Sequence, residues 1–148
     1  MGLVRLNGSG GKHLRKETFE VTNPAEQIEP HIEEAYAIMA REKAIGVAAP
    51  QIGVPYSWYV SPTQGLIINP VLRDFEDKVS IVEGCLSLPD KWFECERYRK
   101  VSIDYFDLDL QPLSKDYEDF EAFVAQHECD HLKGTLIQDH GERKYAGE

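Results

Sequence analysis

An α+β fold with a mostly antiparallel sheet is what this sequence predicts, on three observations: a helical pattern early, β-rich stretches in the middle and a second helical pattern near the end. Residues 1–23 are polar and irregular, with Gly8, Gly10 and Gly11 near the front. A helix is expected from about Pro30 to Glu42, where Ile32, Tyr36 and Met39 repeat at helical spacing. Pro30 suits a first-turn position, since its missing N–H costs nothing there, and Pro24 is placed to open an earlier turn. The following AIGVAAPQIGVP stretch has small residues and two prolines, which exclude a long regular element. It reads as a tight backbone passage in close approach to another part of the molecule. Tyr56 to Val60, Leu66 to Phe75, Val79 to Val82 and Tyr98 to Leu108 are rich in Val, Ile, Tyr and Phe and read as strands separated by Pro, Gly and Asp signals. The last helix is expected from about Asp116 to Leu132, capped by Ser114 or Asp116, with acids in its first turn and Gly134 as its stop. Thr135 to Gln138 is expected to add a short final strand.

The 148 residues are expected to form one domain, residues 1–148, without internal repeats or linkers. Forty-two per cent of them are hydrophobic and 28% charged, too apolar for a disordered chain. Sixteen Lys and Arg against 26 Asp and Glu give a formal charge of −10, which argues against direct nucleic-acid partners and anionic membrane surfaces. No run approaches a membrane span, and Met1 to Gly11 lacks the apolar stretch of a signal peptide, so a cytoplasmic protein is expected, in a host or organelle the sequence does not name. Cys85, Cys95 and Cys129 are a small, odd set, read as reduced thiols or metal ligands.

The late helix carries His127-Glu128-Cys129-Asp130-His131. Two histidines four residues apart share a helical face and can turn both imidazoles to one metal, with Glu128 beside them as general base. Phe120, Val124, His127 and His131 fall on one stripe, facing the core. Two buried histidines satisfied by backbone are the alternative, but their desolvation without a compensating partner is expensive. The third ligand has few sources. The downstream position that a longer metallopeptidase pattern would use is Ile137, while His140, Glu142 and Glu148 lie in a polar tail. Cys85 is the best candidate, because thiolate and two imidazoles leave a tetrahedral site one open position. Gly84 before it allows a turn, and Pro89 is expected to end the local pairing. Cys129 sits on the far side of the helix and is expected to be packed or half exposed, while Cys95, in a strand-like alternation, is expected to be buried. Gln51 has two readings: its amide donates to a developing oxyanion together with the Leu86 N–H, or it merely holds local backbone.

Three segments taken together resemble the peptide deformylase family: Ile45-Gly46-Val47-Ala48-Ala49-Pro50-Gln51, Glu83-Gly84-Cys85-Leu86-Ser87 and Gln126-His127-Glu128-Cys129-Asp130-His131, in that order. His13-Leu14-Arg15-Lys16 is similar to the family's opening segment, so the resemblance covers nearly the whole chain. It implies an HExxH helix packed within a mostly antiparallel β framework, and hydrolytic removal of formate from the formyl-methionine of nascent peptides. It further implies Cys85, His127 and His131 as ligands of one divalent metal, Fe2+ in the cell with Zn2+, Ni2+ or Co2+ able to substitute. Glu128 is then the general base, Gln51 and the Leu86 backbone stabilise the oxyanion, and the Ile45 and Gly46 backbone lines the peptide site. Glu83 and Arg97 match a salt bridge that supports the cysteine loop.

Two departures stand out. Ala44 occupies a position where the family usually has glycine, with a modest effect expected. Gly134 to Glu148 holds Gly141 and Gly147, so no long C-terminal helix is expected, nor ribosome docking by that route. Ile81, Phe120 and Val124 are placed to wall a pocket for the methionine side chain, whose burial is worth about 2 kcal/mol. Two other functions remain open at this level. One is an HExxH zinc metallopeptidase. The other is a non-enzymatic binding module with a structural Cys2His2 zinc that uses Cys95.

Overall fold

The computed structural model describes Leu14 and residues 16–85, 88–135 and 143–146, with backbone alone for Cys85, 88–91 and 143–146. Among these residues the order is α1 (Pro24–Gln27), α2 (Glu29–Glu42), β1 (Val47–Ala48), a 3-10 turn (Ala49–Ile52), β2 (Trp58–Ser61), β3 (Gly65–Cys85), β4 (Leu88–Phe106), β5 (Pro112–Glu118), α3 (Asp119–Leu132) and β6 (Arg143–Ala146). The strands form one antiparallel sheet in the order β1-β2-β3-β4-β5, with β6 also on β4.

Alternation along the short strands makes this sheet the middle of three layers. Val47, Trp58, Val60 and Ile68 pack to one side with Ile38 and Met39 of α2. Their neighbours Ala48, Tyr59 and Ile67 pack to the other with Cys129 and Leu132 of α3. A period of two in the strands thus serves two helices at once, which is why β2 is buried at every position.

Several boundaries differ from the sequence reading. The expected strands Leu66–Phe75 and Val79–Val82 are one element, β3, with register shifts between Ile68 and Val71 and between Arg73 and Glu76. Asn69, Asp74 and Asp77, the residues that look like breakers, have φ of 50°, 55° and 58°. Asn69 and Asp74 absorb left-handed conformations at the register shifts, Asp77 does so between the paired residues Glu76 and Lys78, and the strand continues through all three. Strand β4 begins at Leu88, ten residues before expected, and Pro89 lies inside it, so it does not end the pairing. The expected Asp116 start of the last helix is also corrected. Residues 112–118 pair with β4 as β5, Ser114 and Asp116 bond across the sheet to Asp104 and Ser102, and the helix begins at Asp119 without a side-chain cap. Gly134 does stop α3, at φ 75°. Of the expected Thr135–Gln138 strand, Thr135 is not in a strand and the rest lies outside the described residues, as do Gly8, Gly10, Gly11 and His13.

Candidate active site

Helix α3 is held to the sheet by Gln126. Its Oε1 accepts the Tyr98 N–H at 2.9 Å, and its Nε2 donates to the Tyr98 carbonyl at 2.7 Å and to Ala122 at 2.9 Å. This fixes the helix's rotation, so that His127, Glu128 and His131 are all buried. The two imidazoles lie side by side, ring centroids 5.2 Å apart and planes 71° apart.

Around them stands a buried ionic network. His127 Nδ1 lies 2.8 Å from Glu83 Oε1 on β3. Arg97 on β4 grips Glu83 with two hydrogen bonds, from Nε at 2.6 Å and Nη2 at 2.8 Å, and reaches Asp130 of α3 through Nη1 at 2.6 Å. Burial pushes the Glu83 carboxyl up, but hydrogen bonds from Arg97 and His127 outweigh it and bring it down to about 2. Burial likewise pulls the Arg97 guanidinium down, and Glu83 and Asp130 more than restore it. The Glu83–Arg97 pair read from the sequence is therefore present.

A cavity of ≈ 560 Å³ opens over this network. Gln51, Glu128 and His127 lie at its polar end, and Ile45, Ile81, Phe120, Phe123, Val124 and Trp92 supply apolar wall. Of the two readings of Gln51, the hold on local backbone has a hydrogen bond behind it. Its Oε1 accepts the Ala48 N–H at 3.0 Å, which anchors the 3-10 turn, and the residue lines the cavity. Gly46 explains the tight passage. A β-carbon there would stand 2.7 Å from Glu128 Oε2, so any side chain at this position would have to displace the carboxylate. Phe120 departs from the buried stripe: it is 52% exposed at the cavity mouth, while Val124 is fully buried.

Phe123 joins the site without having been singled out by the sequence, and Trp92 and Asp130 enter it in roles the sequence did not assign. Trp92 comes in through pairing with Gly84, whose added β-carbon would meet the indole at 2.8 Å. Periodicity on α3 could have suggested Phe123, one turn before His127. Asp130 contacts a residue 33 positions away, and nothing local announces that. Cys95 is buried, its Sγ 3.8 Å from the Phe93 carbonyl, and burial pushes its thiol up to about 12. Cys129 packs against the sheet, as expected, and burial raises its thiol. Leu86, His140, Glu142 and Glu148 lie outside the described residues, as does the Cys85 side chain.

The donor set suits a divalent transition metal. With Nδ1 of His127 engaged by a carboxylate, the lone pair of the imidazole is at Nε2, and a carboxylate behind an imidazole makes it a better ligand. Two adjacent buried imidazoles beside a buried carboxylate are otherwise costly to assemble.

Comparison with known proteins agrees with this geometry. Residues 5–146 match the family model described as Polypeptide deformylase. The chain is 37% identical over 136 residues to the peptide deformylase of Desulfotalea psychrophila, covering 86% of this chain and 80% of that one. It is 35% identical over 135 residues to that of Aquifex aeolicus, covering 85% and 80%. The crystal structure of peptide deformylase from Thermotoga maritima superposes with a TM-score of 0.85 at 31% identity, over 96% of this chain and 99% of that one. A match over this span, with the three motifs set around one cavity, leaves the peptidase and structural-zinc readings without support, and the chain belongs to the peptide deformylase family of metal-dependent hydrolases, which take the formyl group from the N-terminal methionine of nascent peptides.

Proposed function

We propose that Cys85, His127 and His131 hold the metal of this deformylase and that Glu128 is its general base. The observation that carries the reading is the pairing of His127 Nδ1 with Glu83 directly beneath a cavity that also contains Glu128 and Gln51. A divalent cation in that donor set supplies Lewis acidity, which makes water acidic enough to ionise at a pH of about 7 and polarises a carbonyl. Ferrous iron is the metal we assign, with Zn2+, Ni2+ or Co2+ able to replace it.

The remaining chemistry belongs to the chain's own groups. The formyl-methionine chain lies along the Ile45–Gly46 backbone, its thioether in the apolar end of the cavity between Ile81, Phe120 and Val124. Glu128 takes a proton from the attacking water and returns it to the departing amine. As the formyl carbon becomes tetrahedral, the Gln51 NH2 and the Leu86 N–H donate to its oxygen, each worth about 3 kcal/mol of barrier. The substrate is a nascent peptide in the cytoplasm, and an acidic chain of this kind has no direct nucleic-acid partner.

The test is formate release from a formyl-Met peptide by the protein purified without air, with metal content measured in parallel. Glu128→Gln is expected to keep one metal per chain and lose turnover by 10²-fold or more. A Glu128→Gln protein with full turnover would remove the carboxylate from the mechanism.

A further inference from the structure

We infer that Asp130 is a positioning residue for the metal centre, acting through Arg97 and Glu83 on His127. The inference rests on the ligand assignment above. Four side chains form one line of contact: Asp130 to Arg97 at 2.6 Å, Arg97 to Glu83 at 2.6 and 2.8 Å, and Glu83 to His127 at 2.8 Å. Asp130 and His127 are on the same helix, three residues apart, so the line leaves α3, passes through β4 and β3, and returns to α3 one turn earlier. Arg97 has a side-chain exposure of 3%, so its charge has little water to share it.

Two consequences follow for a metal. The first is mechanical. The ligands come from β3 and α3, and the guanidinium spans both elements with a fork that fixes direction as well as distance. A helix free to slide or roll by half an ångström would carry both imidazoles away from the strand that presents Cys85. The second is electronic. Glu83 Oε1 serves Arg97 Nη2 and His127 Nδ1 together. With Asp130 present, the guanidinium divides its charge between two carboxylates, and Glu83 keeps more negative charge for the imidazole. Without Asp130 the whole cation falls on Glu83, which becomes a weaker acceptor for Nδ1–H, and the imidazole becomes a poorer donor to a metal. A salt bridge that served only the fold would have the first property without the second.

The experiment measures metal affinity, not turnover. Chelator-stripped protein is titrated with Zn2+ against a competing chelator, and separately with Co2+ followed by its visible absorption. Wild type is expected to bind one ion, and Cys85→Ala to bind neither metal tightly; failure of that pair would overturn the ligand assignment itself. Given it, Asp130→Asn is expected to weaken Zn2+ binding 10- to 100-fold and to alter the Co2+ band positions, and Asp130→Glu to recover part of the loss. Arg97→Lys keeps a charge but loses the fork, and is expected to weaken binding to a similar degree. Should Asp130→Asn fail to fold by circular dichroism, Asp130→Glu decides, with Zn2+ affinity below wild type and shifted Co2+ bands expected. Affinity within threefold of wild type in a folded variant, with only its melting temperature lowered, would overturn the inference and leave Asp130 a purely structural partner.

Discussion

Gly46 and Glu128 meet so closely that one methyl group separates the observed arrangement from a blocked one. A β-carbon at residue 46 would lie 2.7 Å from Oε2 and 2.9 Å from Cδ of the carboxylate, inside any real contact. Gly46→Ala is therefore expected to displace the proposed general base while leaving His127 and His131 in place. A misplacement of about 1 Å at a reacting group costs about a hundredfold in rate, so kcat should fall by that factor with metal content unchanged. Steady-state kinetics on metal-quantified protein checks this; an unaltered kcat would mean that the strand yields and the carboxylate does not. Cysteine chemistry gives a second prediction at this scale. Cys95 and Cys129 are buried with thiols raised by burial, so neither offers a thiolate at pH 8. Iodoacetamide on the native, metal-stripped chain should modify Cys85 alone, read by peptide mass mapping. The two-imidazole pattern was legible from local spacing because a helix turns i and i+4 to one side. The Gly46 contact was legible only as a run of small residues, since its partner is 82 positions along the chain.

Between elements, the bond that matters most runs from Glu83 on β3 to Arg97 on β4. Their register places Glu83 opposite Phe93, so Arg97 reaches back along the ladder to find the carboxylate. Glu83 titrates at about 2 when folded against its ordinary 4.5. A depressed carboxyl stabilises the fold above its unfolded value, and that contribution is lost as pH falls from 4.5 toward 2. The difference corresponds to about 3 kcal/mol at pH 7. Metal-stripped Glu83→Gln should accordingly unfold about 10 °C lower than metal-stripped wild type at pH 7, with the gap closing below pH 4.5. Thermal melts at pH 7, 5, 4 and 3 check it, and a gap that does not change with pH would assign the loss to packing. The same ladder shows why element boundaries were the least legible part of the fold. Asp74 and Asp77 carry the composition of a turn, yet the pairing of Arg73, Glu76 and Lys78 with β4 carries the strand through them. Ser114 and Asp116 carry the composition of a helix cap, yet their oxygens are taken by neighbours in the sheet. Pairing partners 10 to 30 residues away outbid local preference in each case.

For the molecule as a whole the excess of acid governs how substrates arrive. The charge of −10 was plain in the sequence, and among the described residues several basic side chains of the sheet are paired with acids. Arg73 sits on Asp74 and Asp104, Lys78 on Glu96, Arg99 on Asp119 and Lys100 on Glu118, so these four basic side chains are locally neutralised. At the cavity itself the lining includes Glu42, Glu83 and Glu128 as well as Lys43. What an approaching peptide meets is therefore the net field, which reaches about 30 Å at 0.01 M salt and about 3 Å at 1 M. A formyl-Met peptide with lysine at its second and third positions should be captured faster than its glutamate twin, by up to about tenfold in kcat/KM at 0.01 M salt. The ratio should fall toward unity as salt rises, and kcat should not distinguish the two, because steering acts on encounter and both peptides present the same reacting atoms. Measuring kcat/KM for the pair across a salt series decides the matter. A preference that survives 1 M salt would have to come from a direct contact at the cavity rim, and the acidic surface would then have no part in substrate choice.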